Sequence, residues 1–186
     1  MFRITGGEPF LSKDTIKVLD FLTDNPAPNM DFAINTNLCI PDKLFENVMG
    51  KLKRLVIEKK IKRLQLYTSA EAHGDACNYI RYGMDYDKWY NNCRWIIGNI
   101  PDVDEHNPTS LTIMSTVNLL SLPSYTKFIQ DVSLLKKEAS FNLGNPRLYE
   151  RATPVNCPVR VDFPYLRNPE FLTCLLYTSP SPRDIS

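Results

Sequence analysis

The feature that most constrains this chain is a repeated switch between two hydrophobic periods. Short apolar runs that suit a strand alternate with longer runs whose apolar residues recur every three or four positions. "MFRIT" from Met1, "DFAINTN" from Asp31, "KRLQLYTS" from Lys62 and "SLTIMSTVN" from Ser110 read as strands. After the first of these, Ser12 is placed to cap a helix over "KDTIKVLDFLTD", with Ile16, Leu19 and Leu22 on one face, because its hydroxyl accepts an orphan backbone N–H. Pro41 suits a first helical turn, and Leu44, Phe45, Val48, Met49, Leu52, Leu55 and Val56 follow at helical spacing. "YDKWYNNCRWIIGNI" predicts a helix with Trp89, Cys93 and Ile96 inward, and Phe128, Ile129, Val132 and Leu135 build another from about Ser124 to Lys137. "ASFNL" from Ala139 and "VRVDF" from Val159 are further short strand candidates, and "GNPRLYERATPVNCP" between them reads as irregular.

Strands that alternate with helices, joined by connections long enough to cross over, imply an α/β fold with a mainly parallel sheet. Polar residues cluster just past the strands, at Thr5–Glu8, Asn35–Asn37, Thr68–Glu71, Thr116–Asn118 and Asp162. In a parallel barrel or an open α/β sheet that carboxyl edge is where ligands bind. The first cluster contains "GGEP", Gly6 to Pro9. Two glycines let the backbone turn sharply and let a ligand approach its amides. Glu8 adds a negative charge, which suits an ammonium group better than a phosphate. The same residues also suit a plain turn into a helix, with Glu8 and Pro9 favoured by the helix dipole.

A length of 186 residues with 43% hydrophobic and 23% charged side chains fits one globular domain. The formal net charge of +1 indicates neither nucleic acid nor an anionic membrane as partner. The basic stretch "GKLKRLVIEKKIKR" from Gly50 reads as the solvated side of an amphipathic helix and lacks interleaved aromatics. No apolar run approaches the ~20 residues that span a bilayer, and no signal-peptide pattern opens the chain, which reads as cytoplasmic. Cys39, Cys77, Cys93, Cys157 and Cys174 include no closely spaced pair, so each reads as a buried small apolar side chain rather than a metal ligand. His73 and His106 stand in no metal or triad pattern.

"RITGGEPFL", "INTNL", "YTSAEAHGDACNYIRYGMDYDKW" and "TIMSTVNLLSLP" occur in this order, and the set resembles the radical S-adenosylmethionine enzymes of the twitch-domain-containing type. The likeness runs through most of residues 1–173. It implies a partial (β/α)6 TIM-like barrel lacking its first β-α unit, and a site for S-adenosylmethionine. In such proteins the GGE turn holds the ligand's amino group, which falls here on Gly6, Gly7 and Glu8, with Pro9 beside them. A serine at the end of the fourth barrel strand and an arginine in the next helix meet the ligand's carboxylate and ribose, roles that fall on Ser69 and Arg81. Asn37 and Asn118 would supply amide contacts to ribose or adenine.

The family's chemistry starts from a C-x-x-x-C-x-x-C loop holding a 4Fe-4S cluster, which an electron donor such as flavodoxin or ferredoxin reduces. The reduced cluster cleaves S-adenosylmethionine to a 5′-deoxyadenosyl radical that takes hydrogen from a substrate, here unknown. No such cysteine triplet is present, so the expectation is a fragment cut upstream of Met1 and inactive alone, with no catalytic or metal-ligating residue of its own. The twitch domain, a smaller auxiliary-cluster module, would lie beyond the downstream end. "CLLYTSPSPRD", Cys174 to Asp184, matches a translated sequencing adapter, and residues 174–186 are expected to be a disordered non-native tail. Two other readings stand beside this one. A non-catalytic α/β module would bind a metabolite or a protein at the same rim, and Glu8 with Glu71 would form a glycosidase carboxylate pair if suitably spaced.

Overall fold

The computed structural model describes residues 1–104, 106–142 and 159–162. Five strands, β1 (Phe2–Ile4), β2 (Ala27–Asn35), β3 (Ile61–Ser69), β4 (Ser110–Met114) and β5 (Val159–Asp162), alternate with α1 (Lys13–Asp24), α2 (Asp42–Ile57), α3 (Asp75–Ile80), α4 (Tyr86–Asn99) and α5 (Leu122–Asn142). A single 3-10 turn, Pro9–Leu11, follows β1. All four strand pairs are parallel and the spatial order is β1-β2-β3-β4-β5, the order of the sequence. Right-handed crossovers that always step in one direction place every helix on the same face of a sheet.

The register shows which side chains meet those helices. Phe2 aligns with Phe32 and Phe32 with Leu64, while Ile4, Ile34, Leu66 and Leu111 form the next row. Phe32, Ile34, Leu64, Leu66, Leu111 and Ile113 belong to one buried cluster with Leu19, Val48, Leu52, Trp89, Cys93, Phe128 and Leu135 of the helices. Each such side chain withdrawn from water contributes about 1.5–3 kcal/mol. Trp89, fully buried, also donates its indole N–H to the Thr68 hydroxyl at 2.9 Å, so α4 is pinned to β3 by a directional bond as well as by packing.

The opposite face follows another chemistry. Strand alternation puts Arg3, Asp31, Asn35, Arg63, Gln65, Tyr67, Ser69, Ser110 and Thr112 there, with Ala33 and Met114. All-parallel sheets are ordinarily covered on both faces and apolar on both. The polar row departs from that pattern, and Ala33, Ser110 and Thr112 within it are buried.

The sheet is open: among the described residues β1 pairs only with β2, and β5 only with β4. The expected α/β fold with a parallel sheet is present, but the sheet is open and the expected partial (β/α)6 TIM-like barrel is not shown. "ASFNL" is not a strand over Ala139–Asn142, which continue α5. Ala139 extends the buried stripe of Phe128, Val132 and Leu135 by one more turn. "VRVDF" is a strand as far as Asp162. The irregular stretch 144–158, the tail 174–186, Cys157 and Cys174 lie outside the described residues. Among the described residues no helix is long and apolar enough to cross a membrane.

Candidate functional site

Parallel pairing carries the trailing ends of β1 to β4 to one edge of the sheet, and the predicted residues lie along it. After β1, Gly6 and Gly7 adopt φ of 97° and 55°, values L side chains rarely accept. A Cβ built on either glycine would meet nothing within 4 Å, so the backbone conformation, not crowding, calls for glycine. The space in front of the turn is open. A 380 Å³ cleft reaches Gly6 and Pro9 from the outer edge of β1, with Arg3, Thr5 and Thr15 in its wall.

Glu8 does not present its charge to that space. One carboxylate oxygen, Oε1, accepts from the Thr36 hydroxyl at 2.8 Å and from the Phe10 N–H at 3.1 Å, and Oε2 accepts from the Asn37 N–H at 2.6 Å. Glu8 thus caps the 3-10 turn and ties the β1 rim to the β2 rim. Pro9, buried, is the first residue of that turn. On the β2 side, Thr36 Oγ1 also accepts from the N–H of Leu38, and Asn37 Oδ1 accepts from the N–H of Cys39 at 2.8 Å. Leu38 between them is fully buried with φ of 59°. Asn37 closes a turn with its side-chain oxygen.

Beyond β3 the chain runs from Ser69 through Ala70, Glu71, Ala72 and His73 to Gly74, whose φ of 57° turns it into α3. Ser69 is half-buried, and its hydroxyl has no hydrogen-bond partner among the described residues. Arg81, the residue that ends α3, grips Glu71 with two parallel bonds, Nε to Oε2 at 2.5 Å and Nη2 to Oε1. Glu71 is 3% exposed, whereas Arg81 is 33% exposed. Bidentate geometry uses two of the five guanidinium hydrogens and leaves three for other acceptors. Asn118, past β4, accepts from the N–H groups of Leu120 and Ser121 and thereby shapes the entry to α5. Among the described residues its side chain bonds to Thr116, Leu120 and Ser121, all within its own turn.

The structure therefore joins Glu8 to Asn37 directly and sets Ser69 two residues from the partner of Arg81, while Asn118 contacts none of the others. Neither member of the Glu8–Glu71 pair suits glycoside hydrolysis, since both carboxylates are engaged by protein donors and Glu71 is sealed from a sugar.

Two further sets of contacts come from the tertiary structure. The first is the polar sheet face, where Arg3 donates to Asn35 at 2.9 Å and lies 4.3 Å above the Tyr67 ring, and Arg63 pairs with Asp31 at 2.9 Å. Asp31 Oδ1 and Arg63 Nε are buried there without a hydrogen-bond partner among the described residues, so the face holds unsatisfied polar capacity. The second is a cluster on the helix layer. Asp131 of α5 accepts from His73 Nδ1 and from the Tyr86 hydroxyl, both at 2.7 Å, and the two rings meet edge to face at 4.9 Å. Burial, reinforced by the Asp131 bond and charge, pushes the Tyr86 phenol far above its ordinary value, so it stays a donor. Fifty-eight residues separate His73 from Asp131, too far for any local pattern to connect them.

Burial raises the thiols of Cys39, Cys77 and Cys93, most strongly for Cys93. A raised thiol is a poor nucleophile and a poor metal ligand. Cys77 and Cys93 are buried as expected, and Cys39 is half-buried. No group of three or more potential ligands that could hold a metal ion occurs among the described residues. A comparison with family models, with curated proteins and with solved structures finds no match to this chain.

Proposed function

We propose that this chain is the S-adenosylmethionine-binding arc of a radical S-adenosylmethionine enzyme, a partial barrel wall rather than a complete catalyst. The observation that carries the reading is the sheet itself. Strands in strict sequence order, helices on one face and a polar opposite face are what a segment of a parallel barrel requires. The rim then supplies the ligand contacts. The open turn at Gly6 and Gly7 offers backbone carbonyls to an ammonium group. Ser69 offers an uncommitted hydroxyl, and Arg81 offers its remaining hydrogens to a carboxylate. Glu8 works one step back, by holding the Thr36–Asn37 loop against that turn.

S-adenosylmethionine would supply a sulfonium centre. The residues described do not fit a 4Fe-4S cluster, because Cys77 and Cys93 are buried and no group of three or more potential ligands gathers around Cys39 among the described residues. No step through a cluster is therefore assigned to them. A second reading, a binding module that never carries a cluster, draws support from the engagement of both Glu8 and Glu71 by protein groups.

Calorimetry on the purified chain tests the proposal. Heat of binding for S-adenosylmethionine, competed by S-adenosylhomocysteine, is expected, with Ser69→Ala weakening it by about 1 kcal/mol, the worth of one hydrogen bond. Absence of binding at millimolar ligand by a folded chain overturns the reading. Equal affinity for adenosine alone favours the module without a cluster.

A further inference from the structure

His73 lies in the loop between β3 and α3, four positions after Ser69 and two after Glu71. Arg81 holds this loop from α3 through Glu71, Ala70 reaches Met114 of β4 through a long 3.3 Å backbone bond, and Gly74 beyond it is in the left-handed region; a tie to α5 comes from His73. His73 anchors it twice to one helix. Its N–H donates to the Ser124 hydroxyl in the first turn of α5 at 3.2 Å, and its Nδ1 meets Asp131 two turns further along at 2.7 Å. A carboxylate oxygen accepts only, so the proton of this bond sits on Nδ1. Tyr86 of α4 closes the set by bonding the same oxygen and packing against the imidazole. Because α5 begins at the Asn118–Ser121 turn, the two anchors link the β3 rim to the β4 rim.

We propose that His73 is a positioning residue: bonded to Asp131 and Ser124, it fixes the loop that carries Ser69 and Glu71, and so sets the rim geometry that the ligand meets. The inference rests on the proposed S-adenosylmethionine site, and extends it from residues that touch the ligand to the one that aims them. Donation from Nδ1 is the essential property. Asparagine places its amide nitrogen near the Nδ1 position, whereas glutamine places its own near Nε2. Tyr86 contributes to the same cluster without touching the loop backbone, which makes it a control for stability alone.

The experiment compares His73→Asn, His73→Gln and Tyr86→Phe by urea unfolding, by calorimetry with S-adenosylmethionine, and by hydrogen exchange of the Ala70–His73 amides. His73→Gln is expected to weaken binding about tenfold and speed exchange in the loop. His73→Asn should stay within about threefold of the parent, and Tyr86→Phe should lose stability while keeping affinity within about twofold. Affinity that falls in step with stability across all three variants overturns the proposal, as does unchanged affinity in His73→Gln. If the parent chain binds no S-adenosylmethionine, the proposed function fails by itself. Hydrogen exchange then decides this inference: selective loosening of the loop in His73→Gln supports it, and equal exchange in His73→Gln and Tyr86→Phe rejects it. Should His73→Gln not fold, Ser124→Ala removes the second anchor of the same residue and is read in the same way, with faster loop exchange expected and unchanged exchange overturning the proposal.

Discussion

Replacing Glu8 by an apolar residue would strand the Thr36 hydroxyl and the N–H groups of Phe10 and Asn37, since all three donate to it. Charge-assisted bonds of this kind are stronger than neutral ones, and three of them on one carboxylate make Glu8 a fastening between adjacent rim loops. Glu71 is a stricter case. A carboxylate at 3% exposure depends on Arg81 for compensation, and removing one partner of a buried pair leaves the other uncompensated. Arg81→Ala is therefore expected to destabilise the chain by about 3 kcal/mol, and the double variant Glu71→Ala/Arg81→Ala to recover at least half of that loss. Urea unfolding measures both, and a single variant within ~0.5 kcal/mol of the parent would show that the pair does not compensate a buried charge. The motif around these residues was legible in the sequence. That Glu8 turns back onto the protein was not, because Thr36 and Asn37 lie 28 and 29 residues away.

At the scale of elements, apolar spacing located α1, α2, α4 and most of α5, since each must bury one stripe against the sheet. The six-residue α3 escaped because so short a helix completes no stripe. β4 stops at Met114, short of the expected Asn118, where its neighbour β3 also ends at Ser69. The connection from α4 to β4 contains an acid under tension. Burial raises the Asp102 carboxyl above its ordinary value of 3.8, against the opposing pull of the Thr109 N–H bonded to it at 2.7 Å. A carboxyl raised by folding contributes stability below 3.8 that is lost as pH rises through its folded value. Asp102→Asn should thus gain stability relative to the parent as pH climbs from 3.8 through the folded value of Asp102. Parallel urea titrations of the two proteins test this, and a difference that does not change with pH refutes it.

Across the whole molecule, stability should be graded along the sheet. β2 and β3 are interior strands with Phe32, Ile34, Leu64 and Leu66 fully buried, while β1 is three residues long, on an edge, with Phe2 43% exposed. Amide exchange is accordingly expected to be slowest at Phe32–Ile34 and Leu64–Leu66, approaching global unfolding, and fastest in β1. Uniform protection over β1, β2 and β3 would contradict this grading. By itself the sequence determined the alternation of strands and helices, and hence a parallel sheet with its loops at one edge, because hydrophobic period is a local property of the chain. Only the tertiary structure decided that Arg3 meets Asn35 and Arg63 meets Asp31 across the polar face, that Glu8 and Glu71 bond to protein groups, and that His73 meets Asp131. Those contacts join residues from separate crossovers, and no local pattern records which side chains the sheet order brings within reach.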